Sequence, residues 1–142
     1  MDIYHIAILV IAVVAILIFF HFVPVGLWIN AKVAGVRISL ASLFFMRLRR
    51  VDPRIIVDGL IVAHKAGLIK IEKDMLEAHY LARGNVTNLV SALVSASKKR
   101  LDLPFQLLSA IDLAGYDVLE AVKTGINPAT GQPLTKVEIT NN

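Results

Sequence analysis

Residues 6–23 read IAILVIAVVAILIFFHFV, and no charged side chain occurs from residue 3 to residue 31. An α-helix rises about 1.5 Å per residue, so about 20 apolar residues are needed to cross the hydrocarbon core of a bilayer. Residues 3–23 meet that length. The sequence therefore predicts an N-terminal transmembrane helix, with these positions inside the span: Ile6, Val10, Val14, Ile18 and Phe22.

The residues that precede the apolar stretch favour a retained anchor over a cleaved signal peptide. A signal peptide begins with a basic segment and ends at a small-residue cleavage site. Here the first residues are Met-Asp, which is acidic, and no A-x-A-like site follows the apolar stretch. We therefore expect the helix to stay in the protein as an anchor.

Composition agrees with a membrane protein and excludes several kinds of chemistry. The chain has 142 residues, of which 56% are hydrophobic and 18% are charged. Ordinary soluble domains are about 25% charged, and so small a body has too little interior to bury this much apolar surface. There is no cysteine, which excludes disulfides, thiolate catalysis and thiolate metal ligation.

The net charge of +4 is concentrated beside the apolar stretch. Residues 1–31 carry one acidic residue, and residues 55–142 carry nine basic and nine acidic residues. The positive-inside bias therefore predicts a cytoplasmic body, with the short N-terminus outside or held in the membrane by a hairpin insertion. Six basic residues are predicted to contact lipid headgroups: Lys32, Arg37, Arg47, Arg49, Arg50 and Arg54.

Residues 33–46 form a second apolar segment, VAGVRISLASLFFM, which Arg37 interrupts. Fourteen residues are too few to span a bilayer, which takes about 20. Two interpretations remain open. The segment is a re-entrant or interfacial element, or it packs onto the helical body.

Residues 52–125 have the pattern of five short helices. The second is expected over residues 71–83, and the helices show no internal repeat in their residues. Asp or Asn side chains are predicted to cap four helix starts, because they accept hydrogen bonds from the first free N–H groups. Those caps are Asp52, Asn85, Asp102 and Asp117, and the predicted terminators are Gly67, Gly84, Gly115 and Gly125.

The sequence thus predicts a mainly α protein with a transmembrane helix, a small cytoplasmic bundle of short helices and an irregular C-terminal tail. The tail contains one weak strand pattern at residues 134–140. The expected division is a membrane anchor at 1–31, a basic juxtamembrane segment at 32–51, a helical domain at 52–125 and a tail at 126–142.

No catalytic or phosphate-binding motif is present, so we expect no enzyme, no cofactor, no small-molecule substrate and no metal site. His64 and His79 lack the three or four converging ligands that a metal requires. Glu72, Asp74 and Glu77 are interpreted as a solvated charged face. The basic run at residues 98–100 is interpreted as the end of a helix, not as a nucleic-acid site, because no stacking aromatics accompany it.

Five motifs occur in an order that resembles the amino-terminal region of the bacterial flotillin-like family. They are VPVGLWI at 23–29, MRLRRV at 46–51, AHKAGL at 63–68, LEAHYLARGNV at 76–86 and AIDLAGYDVLEAV at 110–122. The resemblance implies a non-catalytic scaffold at the bacterial cytoplasmic membrane. It also implies self-association, contact with membrane lipids and organisation of raft-like microdomains with client proteins.

The chain departs from the family pattern after Asn127 and Pro128, which only 14 residues follow. In the family a β-rich domain and a long helical region come next. The sequence is therefore expected to be a fragment, a truncated product or a short relative. The alternative function is that of a small membrane-tethered adaptor, which regulates one partner protein through its helical domain.

Overall fold

The computed structural model describes residues 2–134, and the strand pattern predicted at 134–140 lies almost wholly outside them. The described residues contain eight α-helices and no strand. They divide into two compact units, residues 2–53 and residues 54–134. The mainly α prediction is therefore confirmed.

The first unit holds three helices: α1 Ile3–Phe22, α2 Val25–Val33 and α3 Leu40–Leu48. Pro24 separates α1 from α2, because proline lacks the N–H that would continue the helix and its ring clashes with the preceding turn. Ser39 caps the start of α3, and its hydroxyl accepts a 3.1 Å hydrogen bond from the Ser42 N–H.

The remaining helices match the five predicted from sequence. They are α4 Pro53–Lys65, α5 Lys73–Leu81, α6 Val86–Lys98, α7 Phe105–Leu113 and α8 Val118–Thr124. The predicted caps at Asn85 and Asp117 are confirmed, since both side chains accept a hydrogen bond from the N–H three residues later.

The predicted cap at Asp102 is wrong. Helix α7 begins at Phe105, and Pro104 occupies the capping position without a side-chain hydrogen bond. Leu103 and Pro104 lie between Asp102 and the first helical turn, so the carboxylate is too far along the chain to cap it. The proline restricts the residue before it to extended backbone, and this delays the start of the helix.

Helices α4, α6 and α8 run in the same direction. A Cβ built on Gly59 would lie 3.2–3.5 Å from side chains at the start of α6 and on α5, while Leu68, just beyond α4, shares a cavity with Ser97 near the end of α6. The Asn88 amide donates to Asp117 at the starts of α6 and α8. Lys99 Nζ donates to the Val122 carbonyl at their ends.

Helix α5 pairs with α6, and helix α7 pairs with α8. Near the end of α5, His79 bonds to Ser109 and Asp112 in the second half of α7, so these two helices also run parallel to each other. The second unit is therefore built of helical hairpins, α5–α6 and α7–α8, placed side by side.

The two hairpins are copies of one structural unit, related by a shift of 32 residues. In each turn a residue with positive φ, Arg83 (70°) or Gly115 (89°), comes two residues before the capping residue. The N–H that follows it bonds back to the carbonyl five residues earlier. Equivalent core positions are buried in both copies: Leu76 and Leu108, Val86 and Val118, Leu89 and Ala121, Val90 and Val122.

The expectation that the helices show no internal repeat in their residues concerns the sequence, and this structural relation does not contradict it. Few positions are identical between the two hairpins, so the relation becomes visible through burial and turn geometry. The same turn also follows α2, α3, α4 and α6, where the positive φ falls on Gly35, Arg50, Gly67 and Arg100. The burial pattern therefore distinguishes the two hairpins better than the turn does. Repeated hairpins of this size are the usual units of helical repeat proteins.

Candidate membrane-contacting site

Helix α1 is apolar on every side and buries none of its residues. Ile6, Val10, Val14 and Ile18 are each about half exposed or more, and Phe22 at the end is partly covered. Among residues 2–134, α1 is the one helix long and apolar enough to cross a membrane. That test rests on length and composition, and a signal sequence also meets it. A core helix of a soluble protein would be buried, which α1 is not.

An indole hydrogen bond joins α2 to the segment before α3. Trp28 Nε1 donates to the Ile38 carbonyl at 3.0 Å, and Lys32 Nζ lies 4.7 Å from the centroid of the Trp28 ring. The chain reverses at Gly35, which has a φ of 82°. The Phe44 ring also lies 5.7 Å from that of Phe22. These contacts define a short hairpin of α2 and α3, here called the juxtamembrane hairpin (residues 25–48).

The juxtamembrane hairpin exposes apolar and basic side chains together. Val33 is 84% exposed, and Leu48 is 63% exposed at the end of α3. Five predicted headgroup contacts are exposed in or next to this hairpin: Lys32, Arg37, Arg47, Arg49 and Arg50. The sixth, Arg54, is exposed at the start of the second unit. Exposed aliphatic groups among cations suit the boundary between headgroups and acyl chains.

The two histidines of the helical body have different surroundings. His64 is exposed, whereas His79 is 3% exposed and bonded on both ring nitrogens. Its Nδ1 lies 2.8 Å from Ser109 Oγ, and its Nε2 lies 2.7 Å from Asp112 Oδ2. The same carboxylate oxygen accepts the Asn85 N–H at 2.6 Å. His79 therefore joins α5 to α7 instead of approaching His64.

The expectation that Glu77 belongs to a solvated face is wrong. Glu77 is 4% exposed, and Lys73 Nζ lies 3.1 Å from its Oε1 across one helical turn. Hydrogen bonding to Asp74 and then to Glu77 raises the pKa of Lys73 above its usual 10.5, although burial opposes the shift. The positive charge of Lys73 makes the burial of Glu77 possible. Glu72 and Asp74 are exposed, as expected.

Ser109 and Asp112 complete the His79 cluster, and neither is predicted from the sequence. The signal that could have found it is the 32-residue shift, which aligns His79 with Ile111, a core position. A histidine at a core position needs buried partners. No group of three or more His, Asp or Glu side chains in the described part of the chain is placed to hold a metal ion.

An unburied apolar helix, a basic hairpin and a body of repeated helical hairpins define a protein with one candidate membrane anchor and a small helical domain. The chain belongs to the family described as Flotillin-like protein FloA, whose family model matches residues 5–137. The resemblance found in the sequence is thereby confirmed.

Curated relatives are similar over most of this chain. It is 60% identical over 116 residues to the Flotillin-like protein FloA of Bacteroides fragilis (strain YCH46). The aligned residues make up 82% of this chain and 35% of the relative. It is 55% identical over 123 residues to that of Staphylococcus aureus (strain Newman), covering 87% and 37%. The chain thus spans about a third of the length of these relatives. No solved structure matches it at a significant level.

Proposed function

We propose that the chain is the membrane-anchoring part of a non-catalytic flotillin-like scaffold, which organises membrane microdomains and associated proteins. The observation that carries this proposal is α1, a charge-free helix of 20 residues with no buried residue. At about 1.5 Å per residue it is about 30 Å long, the thickness of a bilayer core. Its place in a family named for flotillin-like proteins supports the scaffold role.

The body is proposed to lie in the cytoplasm, with the basic residues of the juxtamembrane hairpin and Arg54 at anionic headgroups. The support is the charge asymmetry, since Asp2 precedes α1 and six basic residues follow it by residue 54. Each cation near an anionic surface contributes about 1 kcal/mol. Residues 1–31 then act as anchor, residues 32–51 as the juxtamembrane segment and residues 52–125 as the helical domain.

Self-association and binding of membrane-protein clients are proposed from the family alone. The relatives are about three times as long as this chain. Within the chain, helical hairpin repeats offer surfaces of the kind on which protein partners assemble.

The anchor is tested by washing bacterial membranes that carry the tagged chain with alkaline carbonate and high salt. We expect the chain to stay in the membrane pellet. A Val10→Arg, Val14→Arg variant is expected in the soluble or degraded fraction, because arginine in a span costs about 2.5–3.5 kcal/mol per residue. Leu81→Arg, at an exposed site of the helical body, is the matched control and stays in the pellet. Recovery of the unchanged chain in the wash would overturn the proposal.

The orientation is tested by changing Arg47, Arg49, Arg50 and Arg54 to glutamate. We expect inverted or impaired insertion, because only Lys32 and Arg37 of the six basic residues after α1 then remain to maintain the positive-inside bias. Single cysteines placed in the natural cysteine-free chain report the side of each segment through a membrane-impermeant thiol reagent. The same topology in the natural and the four-glutamate chains would contradict the proposed role of these arginines.

A further inference from the structure

One end of the second unit is rich in exposed cations. The C-terminal ends of α4, α6 and α8 meet there, because these three helices run in the same direction. We call this surface the basic end, and its exposed cations are Lys65, Lys70, Lys98, Arg100 and Lys123. Glu72, Asp74 and Asp102 are exposed acidic residues near it.

The opposite end, where the hairpin turns lie, has the reverse balance. It carries Asp112, Asp117 and Glu120 against two arginines, Arg83 and Arg54, the latter at the start of α4. Hydrogen bonds from the Glu120 N–H and the Asn88 amide lower the pKa of Asp117, so it remains charged. Residues 54–134 carry nine basic and eight acidic side chains. The unit is therefore almost neutral in sum, with an excess of cations at the basic end and of carboxylates at the other.

Lys99 is not counted among the exposed cations of the basic end, because its ammonium group donates hydrogen bonds within the protein. Its Nζ donates to the carbonyls of Val122 and Lys123, both at 2.9 Å, where the last turn of α8 leaves carbonyl groups without helical partners. This contact fixes the end of α6 beside the end of α8. Lys98 and Lys123 are thereby brought to the same surface.

An aliphatic side chain projects from the basic end. Ile69 is 78% exposed, while its neighbours Leu68 and Ile71 pack against the core of the unit. Lys65 and Lys70 flank Ile69 along the chain. An exposed aliphatic residue with lysines on either side along the chain is a combination found on surfaces that bind anionic membranes, where cations attract headgroups and the aliphatic group enters the interface.

We propose that the basic end docks on the anionic surface of the bilayer, with Ile69 inserted between the headgroups. This inference rests on the proposed function in one respect, which is that α1 keeps the body close to a membrane. It adds a second lipid contact on the helical body, at the end opposite the start of α4, where Arg54 lies. The proposed ligand is anionic phospholipid, because the basic end combines cations, which complement anionic headgroups, with an exposed aliphatic side chain that can insert between them.

The test uses the full chain reconstituted into vesicles, with a polarity-sensitive dye on a single introduced cysteine. Ser97→Cys places the dye at the basic end, and Thr87→Cys places it at the opposite end of the same helix. The vesicles contain either phosphatidylcholine alone or equal parts of phosphatidylcholine and phosphatidylglycerol. We expect a blue shift and quenching by spin-labelled lipid for the Ser97→Cys dye in the anionic vesicles only. About 1 M salt should abolish both signals, because the Debye length falls to about 3 Å.

Charge and apolar variants separate the two components of docking. Lys65→Glu, Lys98→Glu and Lys123→Glu should each lower the ratio of docked to undocked protein at least about fivefold. Ile69→Ser should reduce the blue shift without changing the salt dependence. Leu81→Ser is its matched control, an exposed aliphatic residue at the opposite end, and should leave the Ser97→Cys signal unchanged.

The outcomes distinguish this inference from the proposed function. If carbonate extracts the chain from the vesicles, the anchor itself fails. If the chain stays inserted but the Ser97→Cys dye gives equal signals in both vesicles, only the docking inference is overturned. A larger response to added RNA than to anionic lipid would also overturn it, in favour of a nucleic-acid site.

Discussion

Replacing Gly84 with alanine is expected to destabilise the helical body by about 3 kcal/mol, a large part of the stability of a domain of this size. A Cβ at this position would lie 2.2 Å from His79 Nε2, well inside van der Waals contact. The imidazole cannot simply rotate away, because Ser109 and Asp112 hold both ring nitrogens. The turn between α5 and α6 must open or the buried hydrogen bonds must break.

Thermal unfolding of the full chain in detergent micelles, followed by circular dichroism, measures this effect. Gly26→Ala is the matched control, since a Cβ on Gly26 has no neighbour within 4 Å and alanine favours the helix α2. It should leave the transition temperature unchanged or raise it. In a double-mutant cycle, His79→Ala should make the Gly84→Ala change less costly than it is alone. Equal costs with and without the imidazole would contradict the proposed clash.

Replacing His79 with leucine is expected to cost about 3–5 kcal/mol, although leucine is similar in size and more apolar. The change leaves the Asp112 carboxylate, 6% exposed, without the hydrogen-bond contact that His79 Nε2 now makes to it at 2.7 Å. Breaking a buried pair by removing one partner costs about that much, because an uncompensated charge remains inside. The Ser109 hydroxyl loses its partner as well.

A second substitution should recover much of the loss. Asp112→Asn in the His79→Leu background removes the charge while keeping an oxygen for the Asn85 N–H. The double variant is therefore expected to be more stable than His79→Leu alone. His64→Leu, at an exposed histidine, serves as the control and should change stability by less than about 0.5 kcal/mol. A His79→Leu cost no larger than that of the control would show that the cluster does not stabilise the fold.

The features predicted correctly from the sequence are those that depend on interactions between residues close together in the chain. The span follows from a charge-free stretch of sufficient length, and the ends of the helical-body helices follow from caps such as Asn85 and Asp117. These signals act within one helical turn. Asp102 failed as a cap for the same local reason, because Pro104 moved the helix start beyond its reach.

The features that were missed depend on residues far apart in the chain. The partner of His79 is 33 residues away, and Glu77 is buried by packing that its own helix does not reveal. The repeat preserves burial and turn geometry more than residue identity. The zero charge sum of the body likewise concealed two ends of opposite sign, because helix direction is a tertiary property.

Arg83 and Arg100 place two charged side chains of the helical body at strained backbone positions. Both residues occupy left-handed backbone, with φ of 70° and 57°, where a side chain costs about 1–2 kcal/mol relative to glycine. The α7–α8 turn avoids that strain with Gly115 at the equivalent position. Glycine at position 100 would thus lower the conformational energy of the turn after α6. Arginine at this position instead places a guanidinium group at the C-terminal end of the helix, together with the backbone strain.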